Sequence, residues 1–182
     1  MNNWRYAGIE YDDIANGIGL GAVFFTQGCP HHYPECQNPQ TWSMDGGMKL
    51  TDTVFDQLMQ YYYNIPYASR LTISGGDPLS NPELTYYVLL EFKTHFPNKS
   101  AWLYTGYKFE DFAFNVPATQ NEALIQKIVR LCNVIVDGKF EIDKRDITLQ
   151  FMGSSNQRII DVQKSLKANQ TVLWNDMNGG NT

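Results

Sequence analysis

The residues with the clearest chemical potential lie in one short loop, from Gly28 to Pro39, which reads GCPHHYPECQNP. This loop follows an apolar run at residues 22–25 and contains two thiols, Cys29 and Cys36. A cysteine in place of Tyr33 would complete the spacing C-x-x-x-C-x-x-C. Three thiolates at that spacing can hold one four-iron cluster and leave its fourth iron open for a ligand. The loop therefore predicts an iron–sulfur site whose middle ligand position carries a phenol.

Tyr33 is a poor replacement for a thiolate. A phenolate oxygen is a hard donor, whereas iron–sulfur clusters are held by soft thiolates, and an ordinary phenol has a pKa of about 10. Imidazole replaces thiolate in some clusters, but His32 is out of register by one residue, and we interpret His31 and His32 as solvated loop residues. Three explanations for Tyr33 stay open: an introduced substitution, a natural variant with a weakened or absent cluster, or an unusual ligand set.

Four polar or glycine-rich turns follow predicted strands, at Cys29, Gly75, Thr105 and Asp137. Strands alternate with helices along the chain, which predicts a mostly parallel sheet with right-handed crossovers. The carboxyl ends of parallel strands meet at one edge, where ligands bind in α/β architectures. A complete barrel of eight strand–helix units needs about 250 residues. The 182 residues here therefore predict an α/β fold built as an incomplete, open barrel.

Periodicity and capping signals predict the individual elements. Thr51 is expected to cap a helix that Pro66 ends, and Asn81 to cap a second helix that runs to about His95. From Thr148 onward, short strand-like runs should alternate with a loop. A third helix is predicted over 122–131, and strands over 6–11, 22–26, 71–73, 101–104 and 134–136.

The glycine-rich stretch at residues 14–21 could be taken for a phosphate-binding fingerprint. Such a fingerprint should lie between a strand and a helix, whereas these glycines lead into a strand. We therefore interpret the stretch as a loop. Cys132 lies between a predicted helix and a predicted strand, and we expect it to be a buried, inert thiol.

Composition argues against several classes of protein. The hydrophobic fraction of 43% and the charged fraction of 18% are ordinary for a globular protein, and a net charge of −5 disfavours nucleic-acid binding. We expect no membrane span and no secretion leader. Three cysteines, two of them close together, fit a metal site in a reducing compartment, so we expect the cytoplasm. We expect a single domain over residues 1–174 and a frayed polar tail over 175–182.

Five short motifs occur in order along the chain: the cysteine loop, GGDP at 75–78, YTGY at 104–107, VDGKF at 136–140 and GSSNQR at 153–158. Together they resemble the activating enzymes of anaerobic ribonucleotide reductases, which are small members of the radical S-adenosylmethionine superfamily. The resemblance covers nearly the whole chain, from about Tyr6 to Val162.

The resemblance implies an incomplete (β/α) barrel that holds a four-iron four-sulfur cluster and S-adenosylmethionine. In such enzymes the reduced cluster cleaves the cofactor to a 5′-deoxyadenosyl radical, which takes a hydrogen atom from a backbone glycine of the reductase. The implied partners are the anaerobic ribonucleoside-triphosphate reductase and an electron donor such as reduced flavodoxin. The alternative is a catalytically silent homologue that still binds S-adenosylmethionine or the reductase. A radical enzyme for a small molecule is disfavoured, because no residues remain to build a lid.

The resemblance also assigns roles within the cysteine loop. Cys29 and Cys36 match the first and third cluster ligands, and Tyr33 stands in the position of the second. Glu35, Cys36 and Gln37 would lie against the bound cofactor. These roles come from the resemblance alone.

In the same way, Gly75 and Gly76 match a turn that receives the methionine end of the cofactor, since a residue without a Cβ allows close backbone approach. Asp77 could accept a hydrogen bond from the cofactor's amino group. A plain strand-to-helix turn is the alternative interpretation of these three residues.

Two further pairs of residues are informative. Asn156 and Arg158 belong to the last motif and could be structural or partner-facing, and the sequence leaves both open. In the family an arginine often stands at the positions of Gly21 and Met152. The chain therefore lacks two positive charges that its relatives often carry.

Overall fold

The computed structural model of the protein describes residues 3–36 and 38–174. Within these ranges the chain forms one seven-stranded sheet, in the order β3-β1-β2-β4-β5-β6-β7. The strands are β1 Arg5–Asp13, β2 Gly21–Thr26, β3 Met48–Lys49, β4 Arg70–Gly75, β5 Ser100–Tyr104, β6 Val134–Asp137 and β7 Arg158–Asp161. The helices are α1 Asp52–Asn64, α2 Pro82–His95, α3 Glu110–Ala113, α4 Gln120–Leu131 and α5 Val162–Ala168. The tail predicted over 175–182 lies outside the described residues.

The centre of the sheet is parallel and its margins are antiparallel. Strand β4 pairs in parallel with β2 and β5, and β5 pairs in parallel with β6. Strand β1 pairs antiparallel with β2 and β3, and β7 pairs antiparallel with β6. The sheet is open, so the predicted α/β class with a mostly parallel, unclosed sheet is confirmed.

The two faces of the sheet have different partners. Because alternate residues of a strand point to opposite faces, Leu71 and Ile73 of β4 join the large core cluster that contains residues of α1, α2 and α4. Arg70, Thr72 and Ser74 point to the other face. On that face Trp102 is the largest member of a second buried cluster. The face away from the helices is therefore the one available to polar groups.

Two of the predicted helix starts differ in their capping. The Thr51 hydroxyl accepts a hydrogen bond from the backbone N–H of Val54 at 3.3 Å, as predicted. Helix α2 begins at Pro82 as expected, but the side chain of Asn81 makes no capping hydrogen bond, so that part of the prediction is wrong. Asn81 also ends a short 3₁₀ helix, and its ψ of 64° is outside the extended conformation that a capping side chain needs.

The end of the chain is more helical than predicted. Strand β7 fits the expectation of short strand-like runs, but the segment after it forms α5, so the prediction is wrong there. The carboxylate of Asp161 caps this helix by accepting from the N–H of Lys164 at 3.0 Å. Strand β3 and helix α3 were not predicted either. All three elements are too short to give a periodic pattern of apolar residues in the sequence.

Two other expectations can be compared directly with the fold. Cys132 is fully buried, as predicted, and burial raises the pKa of its thiol to about 12. None of the helices in the described ranges is long and apolar enough to span a membrane.

The capping difference predicts different effects for two matched substitutions. Thr51→Ala removes a capping acceptor and should lower the free energy of unfolding by about 1 kcal/mol. Asn81→Ala should lower it by clearly less, because no capping bond is lost. Urea unfolding followed by circular dichroism would measure both. Equal losses would show that the Asn81 side chain does cap α2 in solution.

Candidate functional site

A cavity of about 350 Å³ lies at the carboxyl edge of the parallel strands. All four predicted turns reach it, with Cys29, Gly75, Thr105 and Gly138 in its wall. The expectation that these turns meet at one edge is therefore confirmed. The wall also includes Asn16 from the loop before β2, Phe140 from the segment after β6, and Gly153 and Gln157 from the last motif.

Backbone hydrogen bonds anchor the cysteine loop at its start. The N–H of Gly28 donates to the carbonyl oxygen of Thr41 at 2.8 Å, and the N–H of Cys29 donates to that of Trp42 at 3.2 Å. Further along, the sulfur of Cys36 accepts from the N–H of Asn38 at 3.4 Å. Both thiols line the cavity. The loop therefore presents two sulfur donors to the same space.

The two thiols differ in exposure, since Cys29 is buried and Cys36 is half-buried. Cys29 is buried, and burial raises the pKa of its thiol, while the backbone N–H groups of His31 and His32 act in the opposite direction. Backbone N–H groups that point at a sulfur stabilise its thiolate form. The loop thus supplies part of the environment that a metal-bound thiolate requires.

Tyr33 turns its ring into the same cavity. The ring stacks on His31 with centroids 5.2 Å apart, and its buried hydroxyl has no hydrogen-bond partner among the described residues. A Cβ placed on Gly106 would lie only 1.7 Å from this hydroxyl, so the ring spans the cavity to the opposite turn. Burial, together with Asp77 and the two thiols, raises the pKa of Tyr33 far above that of an ordinary phenol. Tyr33 is therefore a neutral phenol.

His31 is the clearest departure from the sequence interpretation. It was predicted to be solvated, but its side chain is only 7% exposed and its Nε2 lies 2.7 Å from a carboxylate oxygen of Asp77. The prediction was wrong because the partner is 46 positions away in the sequence. His32 is exposed, as expected, and packs against the ring of Trp42.

The carboxylate of Asp77 is buried and heavily engaged. Besides His31, it accepts from the Thr105 hydroxyl at 3.0 Å and from the backbone N–H groups of Leu79 and Gly106, both at 2.9 Å. A hydrogen bond from a cofactor's amino group, as the resemblance implies, would have to share or replace one of these. The observed role of Asp77 is to join the turns around the cavity.

The two glycines before Asp77 are required by close packing against β2. Gly75 has a φ of +99°, and a Cβ there would lie 2.7 Å from the carbonyl oxygen of Thr26. A Cβ on Gly76 would lie 2.3 Å from the carbonyl oxygen of Gly28. Both glycines also line the cavity. Close contact with the neighbouring backbone therefore explains both glycines without a ligand.

The described donors do not make up a complete ligand set for a four-iron cluster. Cys29 and Cys36 supply two thiols, and the middle position of the motif holds the phenol of Tyr33. Within residues 3–36 and 38–174, no three His, Cys, Asp or Glu side chains lie close enough together to hold a metal ion. Of the other predicted contacts, Glu35 is exposed and does not line the cavity, and Gln37 lies outside the described residues.

Asn156 and Arg158 make structural contacts. Arg158 Nε donates to Asp137 at 2.9 Å, and its Nη2 donates to Glu110 at 2.7 Å. This pairing with Arg158 lowers the pKa of Glu110 to about 2. The amide nitrogen of Asn156 donates to the carbonyl oxygen of Lys139 at 2.7 Å. The side chains of Asn156 and Arg158 therefore help to hold the motif at residues 153–158 beside the turn that follows β6.

Sequence reasoning missed one polar cluster at the cavity wall. Arg70 is fully buried and pairs with Asp13, and both bond to the loop that carries Asn16. The only sequence signal was an arginine at the start of an otherwise apolar strand.

Comparisons with known proteins agree with the motifs. A family described as a 4Fe-4S single cluster domain matches residues 15–160. A relative from Escherichia coli strain K12 is 35% identical over 160 residues, which cover 86% of this chain and 96% of the relative. One from Enterobacteria phage T4 is 36% identical, covering 81% and 87%. A third, from Vibrio cholerae, is 33% identical, covering 87% and 97%. Each is named an anaerobic ribonucleoside-triphosphate reductase-activating protein. The chain therefore belongs to the family of anaerobic ribonucleoside-triphosphate reductase-activating proteins.

Proposed function

We propose that this chain activates an anaerobic ribonucleoside-triphosphate reductase in the cytoplasm by installing a glycyl radical on it. The reaction would use a four-iron four-sulfur cluster, S-adenosylmethionine and a donor such as reduced flavodoxin. The open sheet would then be the incomplete (β/α) barrel of the radical S-adenosylmethionine type. One observation carries the proposal: a single cavity joins Cys29, Cys36 and the Gly75-Gly76 turn.

The cavity has the size and lining that a cofactor of this kind needs. Its volume of about 350 Å³ falls within the range of small-molecule sites. Its wall combines the thiols with the glycines at 75, 76 and 106, and Gly106 faces the Tyr33 hydroxyl. In this proposal Cys29 and Cys36 hold the metal, and the turn after β4 receives the cofactor.

Tyr33 limits what the chain can do as it stands. A phenol oxygen is a hard donor and a poor substitute for the middle thiolate, so we expect a weak or incomplete cluster and slow cleavage of S-adenosylmethionine. The same observation supports a second candidate function, a silent homologue that binds S-adenosylmethionine or the reductase without catalysis. The two candidates differ in the activity of the unaltered chain.

Substitution of Tyr33 tests the ligand set. Tyr33→Cys supplies the missing thiolate and removes the ring that reaches Gly106, so it should gain a four-iron cluster on anaerobic reconstitution. Cleavage of S-adenosylmethionine should rise by at least about 100-fold, since even outer partners of a metal site are worth 10–100-fold. Iron and sulfide analysis, electron paramagnetic resonance and a 5′-deoxyadenosine assay would measure this.

Tyr33→Phe is the matched control, because it keeps the ring and removes only the hydroxyl. It should behave like the unaltered chain. A full cluster in the unaltered chain would show that another donor serves as third ligand. Failure of Tyr33→Cys to gain a cluster would count against the assignment of this loop.

A second test concerns the turn after β4. Gly76→Ala places a Cβ against the carbonyl oxygen of Gly28, so it should displace the turn or the cysteine loop. We expect the affinity for S-adenosylmethionine to fall by about tenfold or more, which corresponds to 1.4 kcal/mol or more. Gly8→Ala is the control, because a Cβ there meets no atom within 4 Å. Titration calorimetry with equal affinities for both variants would exclude the turn from the site.

The protein partner can be tested separately. The cavity is open at the strand edge, so a loop of the reductase could close it during the reaction. We expect the chain to co-purify with the anaerobic reductase of its host, and to do so in the Tyr33→Cys form as well. If neither form associates with that reductase, with or without S-adenosylmethionine, the proposed substrate is wrong.

A further inference from the structure

The loop at residues 14–20 contributes Asn16 to the wall of the cavity, and apolar packing holds it only at its end, through Leu20. Ile14 is 73% exposed and Ile18 is 42% exposed, so the apolar side chains on either side of Asn16 point to solvent. Asn16, between them, lines the cavity. A loop with so little apolar burial needs polar contacts to keep one conformation.

Those contacts come from Arg70, at the start of β4 on the face away from the helices. Its side chain is 0% exposed, and its Nη2 lies 2.5 Å from the carboxylate of Asp13, which is 3% exposed. A buried arginine is tolerated only when its charge is paired and its donors are bonded. Here the guanidinium also donates to the hydroxyl of Thr72, on the same face of the strand.

Nη1 and Nη2 of Arg70 also reach the loop backbone, whereas its Nε has no hydrogen-bond partner among the described residues. Nη1 donates to the carbonyl oxygen of Asn16 at 3.1 Å, and Nη2 donates to those of Asp13 at 2.8 Å and Gly19 at 3.4 Å. Asp13 completes the cluster, since its carboxylate accepts from the backbone N–H of Asn16 at 3.0 Å and from its side-chain amide at 2.8 Å. Both the backbone and the side chain of Asn16 are therefore held by one ion pair.

The loop is also shaped to fit around this arginine. Gly17 has a φ of +140°, and a Cβ there would lie 2.5 Å from Cδ of Arg70. Gly21 is the register partner of Arg70 in the pairing of β2 with β4, and a Cβ on Gly21 would lie 2.0 Å from the Arg70 carbonyl oxygen. Gly17 in the loop and Gly21 at the start of β2 thus leave room for Arg70.

We propose that Arg70 is a positioning residue of the cavity, which together with Asp13 holds residues 14–20 so that Asn16 forms the wall facing the ligand. The identity of that ligand as S-adenosylmethionine rests on the proposed function. The placement of the loop by Arg70 is independent of the proposed function, and it can be measured without any ligand.

Arg70→Met keeps most of the side-chain volume and removes the charge and all its hydrogen bonds. Amide hydrogen exchange at residues 14–20 should become at least about tenfold faster, and the affinity for S-adenosylmethionine should fall about tenfold. Asn16→Ala should weaken binding similarly. The double variant should lose no more affinity than the worse single variant, because both changes remove the same wall.

Lys99→Met is the matched control. The ammonium group of Lys99 also bonds to backbone carbonyl oxygens, those of Pro66 and Ala68, but it does not line the cavity. We expect this variant to lose stability and to keep both the exchange rate of residues 14–20 and the affinity. If Arg70→Met fails to fold, the double variant Arg70→Met with Asp13→Asn takes its place in the experiment. That variant leaves no unpaired buried charge.

Unchanged exchange at residues 14–20 in the variant without Arg70 would overturn the proposal. So would additive losses of affinity in the double variant. Absence of S-adenosylmethionine binding by the unaltered chain and by Tyr33→Cys would instead count against the proposed cofactor, while the exchange measurement would still decide the role of Arg70.

Discussion

The cavity depends on one buried carboxylate, that of Asp77. It accepts hydrogen bonds from His31 in the cysteine loop, from Thr105 and Gly106 in the turn after β5, and from Leu79 in its own turn. Three chain segments therefore meet on two oxygen atoms. The sheet brings the ends of its parallel strands to one edge, and this carboxylate sets how closely the loops beyond them approach.

Close backbone contact supports the same arrangement. The N–H of Gly76 donates to the carbonyl oxygen of Thr26 at 2.8 Å, and that of Asp77 donates to the carbonyl oxygen of Gly28 at 2.9 Å. The turn after β4 thus extends the pairing with β2 beyond the end of the strand. Glycine is needed at 75 and 76 because the two backbones touch. A ligand in the cavity would bind to a surface that this contact has already shaped.

Local patterns predicted the longer helices, most of the strands and the edge where the turns meet, but not the contacts between the turns. Apolar periodicity indicated α1 and α4, and Pro82 at the first helical position indicated α2. The four turns follow the strands directly, so their meeting at one edge could be inferred as well. Helix α5 has only seven residues, which is too few for a periodic signal. The partners of His31 and Arg70 are 46 and 57 positions away, and no local pattern indicates such pairs.

The contacts of Asp77 also bear on how the chain folds. The groups that they join are separated by 46 positions on one side and by 28 on the other, so each contact closes a long loop of chain. Contacts of this kind form slowly, because the entropy of loop closure must be lost before the hydrogen bond is gained. We therefore expect the cavity to form late in folding. A fragment that ends before Thr105 cannot form the cavity, although it would contain both thiols and the Gly75-Gly76 turn.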